Sequence, residues 1–221
     1  MFTSGICLRK CLCLWVFITI LNVIPVWANG NLHIVDKPII WTENREQLIR
    51  DYAQTHYGLS QVTIVPQAVV VHWTAGSTWE SAYWTFYNEA RSDGTLNVAS
   101  HFLVDRAGTI IRLTEETALN RHAIGYNWCA IGIENVGGVN GREDLTEEQL
   151  LANIELIRYL HSKYPTIRYV FGHYQQDKAR ESGLYIENVS GYHSYKIDPG
   201  ASFMEGLRMA MEQEGLVFYP E

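Results

Sequence analysis

The hydrophobic positions of this chain keep two different periods, and the places where one gives way to the other predict its elements. Gln67 to Trp73 carries an apolar run rich in β-branched residues, the pattern of a strand buried on both faces. Ala99 to Val104 and Thr109 to Leu113 read as two more strands, and the turn-like Asp105-Arg106-Ala107-Gly108 between them makes a hairpin. Ala130-Ile131-Gly132-Ile133-Glu134-Asn135 and Arg168 to Phe171 are a fourth and a fifth. Elsewhere the period lengthens to that of a helix. Leu48, Ile49, Tyr52, Ala53 and His56 form one stripe, Leu150, Ile154, Ile157 and Leu160 a second, and Phe203, Leu207 and Met211 a third.

Polar residues mark where these helices begin and end. Thr42 is an N-cap with Glu43 and Glu46 in the first turn, and Gly58 closes that helix. Ser77-Thr78-Trp79-Glu80 is a capping box opening a helix to about Arg91, crowded by Trp79, Tyr83, Trp84 and Tyr87. Those rings serve either a core or a sugar- or peptide-binding groove. Thr146-Glu147-Glu148-Gln149 opens the longest helix, to about Tyr164. Residues 29–41 read as an irregular extended lead-in. Strands alternating with helices predict a single α/β domain, a central mixed sheet of about five strands flanked by helices.

Composition fits one globular domain: 221 residues, 47% hydrophobic and 19% charged. The first 28 residues depart from it. Arg9 and Lys10 precede an apolar run from Leu12 to Ile24, and Pro25-Val26-Trp27-Ala28 ends in a small residue, which predicts a secretory signal peptide cut after Ala28. An uncleaved membrane anchor is the alternative, for which the run is short. Cleavage takes Arg9 and Lys10 from the 17 basic residues, leaving 15 against 24 acidic, a formal net charge of −9. That balance argues against a nucleic-acid partner. It also removes Cys7, Cys11 and Cys13, so the mature chain keeps Cys129 alone and has no internal disulfide. Roughly 190 residues suffice for a core without one. The expected organisation is a leader over 1–28, an extension with one helix over 29–64, and the main domain over 65–221, with no stable membrane anchor once the leader is gone.

Three residues supply the candidate chemistry. His72 ends the first strand and His173 follows the fifth, while Asp198 lies in Lys196-Ile197-Asp198-Pro199-Gly200. For His72 alone, a hydrogen-bonded core histidine is the plain alternative. As a set, two imidazoles and a carboxylate suit Zn²⁺ and leave a fourth position open for water, the catalytic arrangement. Glu134 is a carboxylate in an apolar run, suited to take the water's proton and pass it to a leaving nitrogen. Lys196, two residues before Asp198, is placed to stabilise an oxyanion. His56 on the first helical stripe reads as packing.

The motifs His72-Trp73-Thr74-Ala75, Ser100-His101-Phe102-Leu103-Val104-Asp105-Arg106-Ala107-Gly108, Ala130-Ile131-Gly132-Ile133-Glu134, Gly172-His173 and Lys196-Ile197-Asp198-Pro199-Gly200 occur in this order. Together they resemble the type-2 N-acetylmuramoyl-L-alanine amidases, a superfamily shared with phage lysozyme-type amidases and peptidoglycan-recognition proteins. The resemblance covers about residues 65–212. It implies an exported zinc enzyme, periplasmic or secreted, that cuts the amide between N-acetylmuramic acid and L-alanine in peptidoglycan or muropeptides, at a zinc site in a surface groove. His72, His173 and Asp198 match the zinc ligands, and Glu134 and Lys196 the catalytic pair. His122, with Ala123, matches a substrate-contacting segment, with a spare metal ligand as its lesser role, and Trp73 and Thr74, which follow the first ligand, are expected to bind substrate. Where the phage branch carries a tyrosine, this chain has Ser100, which favours Glu134 as the proton carrier. His193 competes with Asp198 for third ligand, and Asp198 is preferred. Tyr185, Tyr192 and His193 lie in a long loop suited to shaping the groove.

Two rivals remain at this level: a non-catalytic peptidoglycan-recognition module, and a zinc peptidase acting within the stem peptide. The oligomeric state is not legible.

Overall fold

A computed structural model describes Met1 and residues 32–219; the leader expected over 1–28 lies, apart from Met1, outside the described residues. In chain order the elements are β1 (Ile34–Asp36), α1 (Glu43–Tyr57), β2 (Ala68–Trp73), α2 (Trp79–Tyr87), β3 (Phe102–Val104) and β4 (Ile110–Arg112). After them come β5 (Ala130–Asn135), α3 (Glu147–Lys163), β6 (Tyr169–Gly172), α4 (Ala201–Ala210) and β7 (Val217–Phe218). One sheet takes all seven strands in the order β1-β4-β3-β5-β2-β6-β7. Among the described strands only the β3–β4 hairpin is antiparallel, so the sheet is mixed, with the two longest strands, β2 and β5, paired at its centre. The single α/β domain and its mixed sheet agree with the sequence expectation, enlarged by β1 and β7 at the edges. The lead-in is therefore not wholly irregular: Ile34 to Asp36 pair with Ile110 to Arg112.

Period-2 alternation divides the sheet into two faces. Val69, Val71, Ile131, Ile133, Phe102, Val104 and Val170 belong to one large core cluster with Leu156, Ile157 and Leu160 of α3 and Leu207 of α4. Ile49, Tyr52, Ala53 and Tyr57 of α1 join the same cluster, so this helix is built into the core. Residues of opposite parity, Ala68, Val70, Ala130 and Phe171, pack instead with Ala123, Tyr126 and Leu184 from the long connections. His72, Gly132 and Glu134 share that second parity. One face is thus committed to apolar packing, and the other is covered by loops that bring polar groups.

Helix ends follow local chemistry with one exception. Thr42 accepts from the Asn44 amide at 3.1 Å and Gly58 closes α1 with φ +70°, a left-handed turn that glycine adopts without strain. Thr146 and Gln149 form the reciprocal capping box of α3. In α2 the cap is Thr78, and the helix stops at Tyr87 rather than running to Arg91. The buried Arg45 guanidinium of α1 donates to the carbonyls of Phe86, Tyr87 and Asn88 at 3.2, 3.0 and 2.9 Å. Asn97 donates to those of Thr85 and Asn88. These contacts satisfy the helix's last carbonyls in place of another turn.

Candidate metal centre and active site

Parallel strands open their C-terminal ends on one edge of the sheet, where α/β proteins bind ligands. Register does the rest. His72 pairs with Glu134 across β2 and β5, and Val71 with Gly172 across β2 and β6, so His173 leaves its strand level with His72. Asp198 is drawn in from the last loop, where its carbonyl accepts from the Tyr174 amide at 2.8 Å.

The structure brings His72, His173 and Asp198 together. His72 Nδ1 and His173 Nδ1 are 2.9 Å apart, and each is 3.2 Å from Asp198 Oδ2. All three are buried, at 1, 5 and 8% exposure. A tetrahedral ion with bonds of about 2.0–2.1 Å spaces its ligand atoms about 3.3 Å apart, close to this triangle. Among the described residues this is the group of histidine and acidic side chains able to hold a metal ion. Burial pushes the His173 imidazole down to about 4, with His72 adding to the effect and Asp198 opposing it. Burial alone would raise Asp198, but the His173 and His72 rings beside it hold its carboxyl well below the usual range. An ionised carboxylate and an uncharged His173 imidazole are the protonation states that those ligands need.

Glu134 stands beside this group with Oε2 enclosed and without a hydrogen-bond partner. Burial, then the charge of Asp198, push its carboxyl well above the usual range, while Lys196 pulls the other way. A cavity of about 160 Å³ opens on His173, lined also by Lys196, His122, Arg121, Tyr52 and Tyr192. Lys196 therefore faces the same space as the candidate ligand His173.

The remaining sequence candidates fall into different places. His122 lines the cavity, and its Nδ1 is also 3.1 Å from His72 Nε2. Trp73, of opposite parity to His72, is buried over Gly138, where a Cβ would come within 2.2 Å of the indole. Thr74 Oγ1 accepts from the amides of Gly76 and Gly137, bracing the turn after β2. His193 is half exposed and contacts Asp177 at 3.1 Å, apart from the ligand set. Tyr185 packs on Tyr126, while Tyr192 reaches the cavity and accepts from Arg121 at 2.8 Å. His56 packs between Tyr52 and Tyr192 and also meets Glu187 at 2.9 Å. Cys129 is a free, buried thiol.

Three contributors escaped the sequence reading. Tyr52 and Arg121 wall the cavity together with Tyr192, which the sequence places at the groove, and Asn127 links the wall to its floor. Its Oδ1 accepts from the amides of His122 and Ala123, and its Nδ2 donates to the hydroxyls of Tyr52 and Tyr57. No local pattern marks Asn127, whose tyrosine partners lie about 70 residues away in the chain.

With this geometry established, comparison with known proteins gives a consistent result. The family model for N-acetylmuramoyl-L-alanine amidase matches residues 62–201. The endolysin of Escherichia phage T7 is 33% identical over 78 residues, 34% of this chain and 52% of that protein. The chain thus spans about half the length of the curated relatives it matches. The N-acetylmuramoyl-L-alanine amidase LysC from Clostridium intestinale superposes with a TM-score of 0.53 at 22% identity, covering 81% of this chain and 97% of that one. Bumblebee PGRP-SA gives 0.50 at 18% identity, covering 85% and 98%. At such identities the structural likeness speaks to the fold, and the family match spans the strands that carry His72, Glu134 and His173 together with Asp198. This chain belongs to the N-acetylmuramoyl-L-alanine amidase family.

Proposed function

We propose that this protein is a zinc-dependent N-acetylmuramoyl-L-alanine amidase, exported to act on peptidoglycan or its fragments. The observation that carries the proposal is the buried His72, His173 and Asp198 set with Glu134 and Lys196 beside it, in a family of amide hydrolases. His72 Nδ1, His173 Nδ1 and Asp198 Oδ2 are the atoms that would hold the ion. Zinc held there supplies a nucleophilic water at neutral pH and polarises the scissile carbonyl. Glu134 accepts the proton of the attacking water at its unpartnered Oε2 and delivers it to the leaving amide nitrogen. Burial raises that carboxyl, which makes it the stronger base for the water's proton. Lys196 lines the cavity and would stabilise the oxyanion with its charge. Export is supported by the charged, apolar and small-residue order of the leader.

The test is digestion of peptidoglycan fragments by the purified protein, with chelator and then with zinc restored. New L-alanine amino termini that vanish with chelator and return with zinc are expected. Binding without cleavage in either state would make this a recognition module, and new termini within the stem peptide would make it a peptidase.

A further inference from the structure

His122 meets the candidate metal centre edge-on. Its ring stands at 87° to that of His72 with centroids 5.2 Å apart, and its Nδ1 lies 3.1 Å from His72 Nε2. Its other nitrogen, Nε2, is 3.1 Å from the carbonyl oxygen of Ala130. A carbonyl only accepts, so in a neutral ring the proton sits on Nε2 and the lone pair on Nδ1. His72 Nε2 is then the donor of the pair, and His72 Nδ1 is left with its lone pair directed at Asp198 Oδ2 and His173 Nδ1. We infer that His122 is a positioning residue of the metal centre, holding His72 in the tautomer and orientation in which Nδ1 is free to bind the ion. The inference rests on the metal reading above.

The surroundings of His122 fix it for this task. Its ring stands edge-on to both His72 and His101, with centroids 5.2 and 5.7 Å away. Asn127 holds the backbone on either side of it, accepting from the His122 and Ala123 amides at 2.8 and 2.6 Å. Gly132 of β5 leaves the ring its space, since a Cβ there would lie 2.8 Å from His122 Nδ1 and 2.6 Å from Ser100 Oγ. His101 does not compete for the ring, because it already contacts the Ala118 carbonyl through Nε2 and accepts from the Gly132 amide through Nδ1. Partners of this kind orient a ligating imidazole, and their loss typically costs about 10- to 100-fold in metal affinity.

The experiment measures zinc affinity of the full chain by competition with a chromophoric chelator. His122→Ala and His122→Phe should weaken zinc about 10- to 100-fold. His122→Asn, whose Oδ1 can stand near the place of Nδ1, should keep most of the affinity. Gly132→Ala, which removes no polar group but displaces the ring, should behave like His122→Ala. Unchanged affinity in His122→Ala, or equal losses in all three His122 variants, would overturn the inference. Histidine ¹⁵N spectra of the metal-free protein give a second reading. They should show His72 protonated at Nε2 and bare at Nδ1, with an Nε2 proton that exchanges faster in His122→Ala. A proton on Nδ1, or equal exchange in both proteins, would overturn it as well. Zinc affinity equal in wild type and Asp198→Ala would instead remove the metal reading itself, and this inference with it.

Discussion

The charge balance of the site turns on Asp198. Its carboxyl is held ionised beside the His173 imidazole that burial keeps uncharged, so it offers its negative charge to a cation. Asp198→Ala removes that charge and one of three donor atoms. It should abolish zinc retention on dialysis and activity with it, a larger effect than the 10- to 100-fold typical of an outer partner. Folding should suffer little, because the main apolar cluster packs on the opposite sheet face. Metal analysis and a thermal melt on the same sample check both halves, and a variant that kept zinc would remove Asp198 from the ligand set. Glu134 gives the complementary pattern. Glu134→Gln keeps shape and metal but has no carboxylate to carry a proton, so kcat should fall about 10²- to 10⁴-fold. Unchanged turnover with zinc bound would take Glu134 out of the mechanism.

At the scale of elements, the caps are where sequence acts most directly. Thr146 accepts from the Gln149 amide at 3.2 Å and donates to the Arg106 carbonyl at 2.9 Å, joining the start of α3 to the β3–β4 turn. Thr146→Ala should cost about 1 kcal/mol. That lowers the melting temperature by about 2–4 °C in a protein of this size. A denaturant midpoint that shifts with its slope unchanged would confirm the loss as stability, and no shift would mean that the cap is redundant. Features of this kind were legible because they need only neighbouring residues: Thr42, Gly58, Thr146 and the full span of β5 follow from local pattern. The end of α2 was not, because Arg45 reaches its carbonyls from more than 40 residues away. Nor were β1 and β7, since two or three residues are too short to show a period. The candidate site divides in the same way. A histidine ending an apolar run is visible in the sequence, whereas the turn that Asn127 braces exists only after α1 has docked.

Across the whole molecule, the loop-covered face of the sheet buries imidazoles in their uncharged form, and this couples its stability to pH. Burial pushes both His101 and His173 down to about 4, and His122 moves in the same direction. In the unfolded chain each of these takes up a proton near pH 6.5. Between pH 6.5 and about 4 the unfolded state therefore binds more protons, so acid destabilises the fold across that window. A depression from 6.5 to 4 is worth roughly 3 kcal/mol at full effect for each of the first two. Glu134 works the other way, because its raised carboxyl takes a proton in the folded state first. One carboxyl opposes three imidazoles, so the net slope stays positive with pH. The metal-free protein should lose melting temperature steadily from pH 6.5 to pH 4.5, and His101→Asn should flatten the curve by about one proton. A melting temperature level over that range would mean that these rings are already charged inside the fold. His173 is the one of these rings in the ligand set, so the pH curve of the metal-free protein also checks that this donor is uncharged.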